Sequence, residues 1–199
     1  MHTLLIASTN PGKLEEIRFM LKALPVKLVL PADLGIHLDV VEDGDTYLAN
    51  AAKKALAYCQ ASGLTTLADD SGLEVDTLNG EPGLYSARYA RKPGATDEDR
   101  RAYLLEKLAG FPKPWPAHFH CTVVIATPQG NQYQHDGNCY GEIIPQERGH
   151  NGFGYDPLFY MPDLCKTMAE LPDDHKNRIS HRALAIQAAR PTLELLSNE

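Results

Sequence analysis

The sequence predicts an α/β protein. Three observations carry this. A short apolar run, Thr3 to Ala7, passes at once into a polar loop and an amphipathic helix. A second apolar run, Thr65 to Ala68, leads into two adjacent carboxylates. A third run, Phe119 to Thr127, is rich in Val, Ile and Thr and is followed by a turn and a pairing partner. The 199 residues are enough for one large domain or two small lobes, with 43% hydrophobic and 23% charged residues as in an ordinary globular protein. The 19 Lys and Arg against 26 Asp and Glu give a net charge of −7 with no basic block. That balance excludes non-specific nucleic-acid binding. A polyphosphate ligand would need local cations, backbone N–H groups and a metal. The four cysteines, Cys59, Cys121, Cys139 and Cys165, contain no Cys-x-x-Cys pair and read as free thiols of a reducing compartment. Leu4 to Ala7 is too short for a signal peptide or a membrane span, so a cytoplasmic protein with no membrane partner is expected.

In chain order, the first apolar run reads as a buried strand, broken by Ser8-Thr9-Asn10-Pro11-Gly12-Lys13. Beyond it Leu14, Ile17, Leu21 and Leu24 recur at helical spacing. A lysine and backbone N–H groups at a helix N-terminus make a ready anion site, although Leu14 stands where a Walker A loop has Ser or Thr. Val26 to Leu30 reads as a second strand, and Pro31 to Val41 as irregular. Glu42-Asp43-Gly44-Asp45 precedes a helix from about Thr46 to Ala61, with a buried stripe of Leu48, Ala52, Ala55, Leu56 and Cys59 and with Gly63 ending it.

The stretch Leu67-Ala68-Asp69-Asp70-Ser71-Gly72 reads as a strand end bearing two acids, then a Ser-Gly turn, an arrangement suited to holding a divalent cation and polarising a water. Gly80 to Tyr89 is rich in turn residues. Asp97 to Leu108 reads as an amphipathic helix, and Phe111 to Pro116 as a proline-rich loop. Phe119 to Thr127 and Gln132 to Tyr140 make a hairpin around Pro128-Gln129-Gly130-Asn131. His118 and His120 share a strand face and, with no carboxylate or third ligand expected nearby, read as ordinary strand histidines rather than metal ligands. Gly149 to Phe159 sets aromatics between glycines and reads as a stacking platform for a flat base or as a turn with aromatics tucked into a core. Ala169 to Asn177 forms one or two helical turns, Ser180 caps the last helix, and Pro191 ends or kinks it.

Taken together and in this order, Ser8-Thr9-Asn10-Pro11-Gly12-Lys13, Leu67-Ala68-Asp69-Asp70-Ser71-Gly72-Leu73, Pro82-Gly83-Leu84-Tyr85-Ser86-Ala87-Arg88, Gly152-Phe153-Gly154-Tyr155-Asp156-Pro157 and Ile179-Ser180-His181-Arg182 closely resemble the inosine/xanthosine triphosphate pyrophosphatases. The resemblance runs from about Thr3 to the last helix. It implies a single two-lobed domain over residues 1–199, built on a long twisted mixed sheet with flanking helices and a nucleotide-binding cleft. It further implies a magnesium-dependent homodimer that hydrolyses non-standard purine nucleoside triphosphates to monophosphate and pyrophosphate. By resemblance, Ser8, Thr9, Asn10, Pro11, Gly12 and Lys13 hold the triphosphate, with Thr9 standing where the family pattern has glycine. Lys54, rather than Lys53, reaches phosphate. Glu42 and Asp70 hold the metal, Asp70 acts on the attacking water with Asp69 as its adjacent partner, and Ser71 contacts substrate. Phe153 stacks on the base, Gly154, Tyr155 and Asp156 shape its pocket, and Lys176, His181 and Arg182 read it. Three rivals are the Maf-like nucleotide pyrophosphatases, an aspartyl-phosphate phosphatase using Asp69 or Asp70, and a non-catalytic nucleotide-binding protein.

Overall fold

The structure is a computed structural model describing residues 2–90 and 92–197. Among the described residues seven strands form one mixed sheet in the order β2-β1-β3-β4-β5-β6-β7. The strands are β1 His2–Ile6, β2 Val26–Val29, β3 Thr65–Val75, β4 Trp115–Ala126, β5 Gln132–Ile143, β6 Phe159–Met161 and β7 Lys166–Thr167. The helices are α1 Pro11–Leu21, α2 Tyr47–Ser62, α3 Asp97–Leu108, α4 Asp173–Ile179 and α5 His181–Ser197. β1 pairs in parallel with both β2 and β3, whereas β6 pairs antiparallel with β5 and β7. The chain divides into two compact units, and β3, β4 and β5 each pass from one unit to the other.

The first unit comprises residues 1–70, 121–137 and 182–199. Its strands are apolar on both faces because helices cover both. Leu4, Ile6, Leu67, Val123 and Ile125 pack with Ile17 and Leu21 of α1 and Ala185, Ile186, Ala189 and Leu193 of α5. Their neighbours Leu5, Ala7, Ala68, Val124 and Ala126 turn to the opposite face and meet Ala51, Ala55, Tyr58 and Cys59 of α2. The second unit, residues 71–120 and 138–181, has one core in which Leu73, Val75, Trp115, Phe119 and Phe159 pack with Leu104 and Leu108 of α3.

Several expectations are corrected here. β3 does not end at the acids but runs on to Val75, so Ser71 and Gly72 are strand residues and no turn forms there. Leu73 and Val75 are fully buried, and the burial of that next apolar pair carries the strand past the glycine. In the α2 stripe Leu48 is exposed, and Ala51 and Tyr58 are the buried positions instead. β4 begins at Trp115, inside the expected proline loop, because Trp115 and Ala117 are core residues. α5 continues through Pro191 to Ser197. The burial of Leu193 and Leu196 beyond the proline offsets the ~3 kcal/mol an interior proline costs. His118 does have a carboxylate neighbour, Glu74, with Nε2 and Oε2 3.4 Å apart. His120 Nδ1 lies 2.7 Å from Asn138 Oδ1.

Candidate active site

In the first unit the polar loop after β1 is shorter than its sequence reads. Asn10 Oδ1 accepts the Lys13 N–H at 3.2 Å and so caps α1, with Pro11 in the first turn. Pro11, Gly12 and Lys13 are therefore helix residues, and the loop proper is Ser8 to Asn10, where Ser8 Oγ accepts the Asn10 N–H at 3.3 Å. Among the described residues the non-glycine positions with positive φ are Asn79 and Cys165, so Thr9 takes the family's glycine position in ordinary backbone geometry.

α2 carries the next part. Thr46 caps it, and Asn50 and Lys54, one turn apart, share a face. Asn50 accepts the Gly44 N–H at 2.8 Å and donates through Nδ2 to Asp70 Oδ2 at 3.0 Å. Lys54 Nζ donates to Glu42 Oε2 at 2.9 Å. Lys53 points to the exposed side and pairs with Asp43 at 2.6 Å. The acidic segment before α2 is thus folded back onto the helix that faces Asp70. A cavity of about 220 Å³ is lined by Ser8, Thr9, Asn10, Glu42 and Lys54 together with Asp39 and Val40.

The two adjacent acids are not a pair. Successive strand residues point to opposite faces of a sheet. Asp70 lies toward Asn50, and Asp69 is buried toward Lys13 and Arg182. Burial alone would raise the Asp69 carboxyl, but the Lys13, Arg182 and Lys54 cations outweigh it and hold it well below the usual carboxylate range. At Asp70 burial prevails and lifts the carboxyl above its ordinary value. Lys54, the Asn50 hydrogen bond and Lys13 oppose that lift, and nearby Glu42 adds to it.

The second unit holds the aromatic loop. Phe153 N–H donates to Asp156 Oδ2 at 2.9 Å, and the same oxygen accepts Lys176 Nζ at 2.6 Å. That ion pair is buried, and its ammonium lies 4.8 Å from the Phe153 ring centroid. The Gly154 backbone is gripped by α3, its N–H by Asp97 at 2.8 Å and its carbonyl by Arg101 at 2.9 Å. Tyr155 is buried and donates its hydroxyl to the Ser86 carbonyl at 2.9 Å. Burial raises that phenol above its ordinary range, so it stays a neutral donor. His181 stacks on Phe119 with centroids 4.7 Å apart. Ser71 is half-buried on β3 where the strand enters this unit.

Arg182 is held by two acids of the first unit. Its guanidinium is 1% exposed in the first unit, bound to Glu16 and, through Nε at 3.2 Å, to Asp69. The acids of α1 and β3 answer the charge of a cation that begins α5, Asp69 serving Lys13 as well.

The model of the Ham1 family matches residues 4–192. The chain belongs to the Ham1 family. It is similar to a dITP/XTP pyrophosphatase of Desulforamulus reducens, 44% identical over 194 residues that span 97% of this chain and 96% of that one. A dITP/XTP pyrophosphatase of Thermus thermophilus is 44% identical over 184 residues, 92% and 87% of the two chains. Among solved structures, a HAM1 protein from Coxiella burnetii superposes with a TM-score of 0.88 at 38% identity, covering 100% of both chains. The Staphylococcus aureus Ham1 protein superposes with a TM-score of 0.84 at 39% identity, covering 98% of both.

Four residues of this Ham1 chain stand in the site's framework without having been singled out by sequence. Asn50, a polar residue on the buried side of α2, left a signal, being one helical turn before Lys54. Glu16 left a similar one, three residues after Lys13. Asp97 and Arg101 of α3 grip Gly154, 57 and 53 residues away, and that grip has no local signature.

Proposed function

We propose that this chain hydrolyses non-standard purine nucleoside triphosphates, ITP, dITP and XTP, to the monophosphate and pyrophosphate. The observation that carries the reading is Asp70: a largely buried acid with raised proton affinity, oriented by Asn50 and flanked by Glu42 and Lys54 beside the Ser8–Asn10 loop. Ham1 relatives described as dITP/XTP pyrophosphatases support the substrate class.

On this reading Ser8, Asn10 and the first turn of α1 offer hydroxyl and N–H groups to the triphosphate, and Lys13 and Lys54 neutralise it. Asp70 takes the proton of the water that attacks the α-phosphorus, a bond to that water forming as the bond to the pyrophosphate oxygen breaks. Asn50 holds the carboxylate in the orientation this needs. Glu42 and Asp70 fit a magnesium site. They are hard oxygen donors held by neighbouring residues of one α2 face, Asp70 by Asn50 and Glu42 by Lys54, and magnesium commonly takes one or two carboxylates and completes its shell with water and substrate phosphates. Bound there, the ion would supply charge neutralisation on the phosphates and a more acidic water.

In the second unit Phe153 would stack on the base, while Lys176 and His181 present donors to a 6-oxo group. Adenine has an amino donor at that position and would set it against those donors, which disfavours it. Free thiols support a cytoplasmic setting, and the family resemblance supports a homodimer, which light scattering would test. Product analysis tests the chemistry. Pyrophosphate is expected as the first product from ITP with magnesium, and release of orthophosphate with a nucleoside diphosphate would overturn the mechanism.

A further inference from the structure

Phe153 stands between two glycines, Gly152 with φ +75° and Gly154 with φ +63°. A ring flanked in this way is free to turn unless the backbone beside it is tied down. On one side the Asp156–Lys176 ion pair holds the Phe153 N–H. On the other side packing does not help, because nothing beyond the adjacent residues lies within 4 Å of the place a Cβ on Gly154 would take. The hold there is polar and comes from α3. Asp97 Oδ2 accepts the Gly154 N–H at 2.8 Å, and Arg101 Nη1 donates to the Gly154 carbonyl at 2.9 Å. The two groups belong to the peptide planes on either side of the Gly154 Cα, so both of its torsions are held. Asp97 and Arg101 are one helical turn apart and share a face of α3. Arg101 is itself aimed. Its Nε and Nη2 fork onto Glu147 at 2.8 and 3.0 Å, which leaves Nη1 for the loop. All these residues lie in the second unit, and the hydrolysis described above uses neither Asp97, Arg101 nor Glu147.

We propose that Asp97 and Arg101, with Glu147 behind Arg101, are positioning residues for Phe153: they hold Gly154 still, so that the ring already has its stacking orientation when the base arrives. A loop free to turn at Gly154 would present the ring correctly only part of the time, and apparent affinity falls by that fraction. Lysine cannot replace Arg101 in full. An ammonium has no planar fork to divide between the Glu147 carboxylate and the Gly154 carbonyl. The inference rests on the stacking role of Phe153 given above.

The test uses Asp97→Ala, Arg101→Ala, Arg101→Lys and Glu147→Ala in the full chain, and Arg101→Ala also together with Phe153→Ala. KM and kcat are read for ITP and XTP with magnesium. Asp97→Ala and Arg101→Ala are expected to raise KM for both nucleotides about threefold to tenfold, as for the loss of one hydrogen bond to a charged group, with kcat little changed. A variant that only folded less well would lose kcat and keep its KM, because the active fraction does not enter KM. Glu147, with a side chain 42% exposed, touches neither the loop nor the substrate, yet Glu147→Ala should raise KM in the same direction by a smaller factor. Arg101→Lys should fall between wild type and Arg101→Ala. In the Phe153→Ala background, Arg101→Ala should add less than about twofold, because no ring is left to position. Wild-type KM in folded Arg101→Ala, or an undiminished further rise in the Phe153→Ala background, would overturn the inference. If Arg101→Ala does not fold, Glu147→Ala and Arg101→Lys decide, and wild-type KM in both overturns it. Wild-type KM in Phe153→Ala sinks the stacking reading itself, whereas a raised KM there with Arg101→Ala unaffected sinks only this inference.

Discussion

Gly152→Ala should be costly out of proportion to the methyl group it adds. Gly152 has φ +75°, a conformation that costs an L-residue about 1–2 kcal/mol. An added Cβ would overlap Asp156 Oδ2 and lie 2.8 Å from Lys176 Nζ. Both atoms end flexible side chains, but neither is free to swing. Asp156 Oδ2 already holds the Phe153 N–H and the Lys176 ammonium, and both side chains are buried. Separating such a pair costs about 3–5 kcal/mol, so the substitution should remove about 4–7 kcal/mol in all. That is comparable to the whole stability of many domains. The assay is urea unfolding followed by the fluorescence of Trp115, the sole tryptophan and a core residue of the same unit. Gly80→Ala is the control, with φ +88° and nothing within 4 Å of an added Cβ, and should lose only the backbone cost of about 1–2 kcal/mol. Equal losses in the two variants, with an unchanged KM for ITP in Gly152→Ala, would refute the reasoning.

Asp70→Asn should retain the fold by circular dichroism and lose turnover by at least about 10²–10⁴-fold, the range for a lost general base alone; near wild-type activity at saturating magnesium would move the chemistry to another acid. Asn50→Ala removes a hydrogen bond of 3.0 Å to that carboxylate and should lower kcat about tenfold in steady-state assays, with KM little changed. Phe153→Ala should raise KM by similar factors for ITP, XTP and residual ATP, because stacking, worth about 1–3 kcal/mol, is tolerant of base identity; a loss confined to one purine would assign Phe153 a specific contact instead.

The elements with a local cause were legible in the sequence. α3 runs from Asp97 to Leu108 as read, because Thr96 and Asp99 form a capping box ahead of its apolar stripe. Lys54 was preferred to Lys53 only through the family resemblance; in the structure Lys54 pairs with Glu42 and Lys53 pairs with Asp43 at the surface. What the sequence concealed was decided by distant partners. Asp69-Asp70 reads as one acidic site until β3 is seen to continue through it, and the strand's alternation then sends the two carboxylates to opposite faces. Arg182 sits beside His181 in sequence, yet its charge is answered by Glu16, 166 residues away. No periodicity or spacing reports such a pairing, since it exists only after α1, β3 and α5 have packed together in the first unit.

The central claim is that this chain is a pyrophosphatase selective for 6-oxo purines without a 2-amino group. The most direct measurement is pyrophosphate release from ITP, dITP, XTP, ATP, GTP and UTP, each with magnesium and the full chain. The account predicts kcat/KM values for ITP, dITP and XTP well above those for ATP, GTP and UTP. Comparable turnover of all six, a preference for UTP, or binding without release of pyrophosphate from any of them would contradict it.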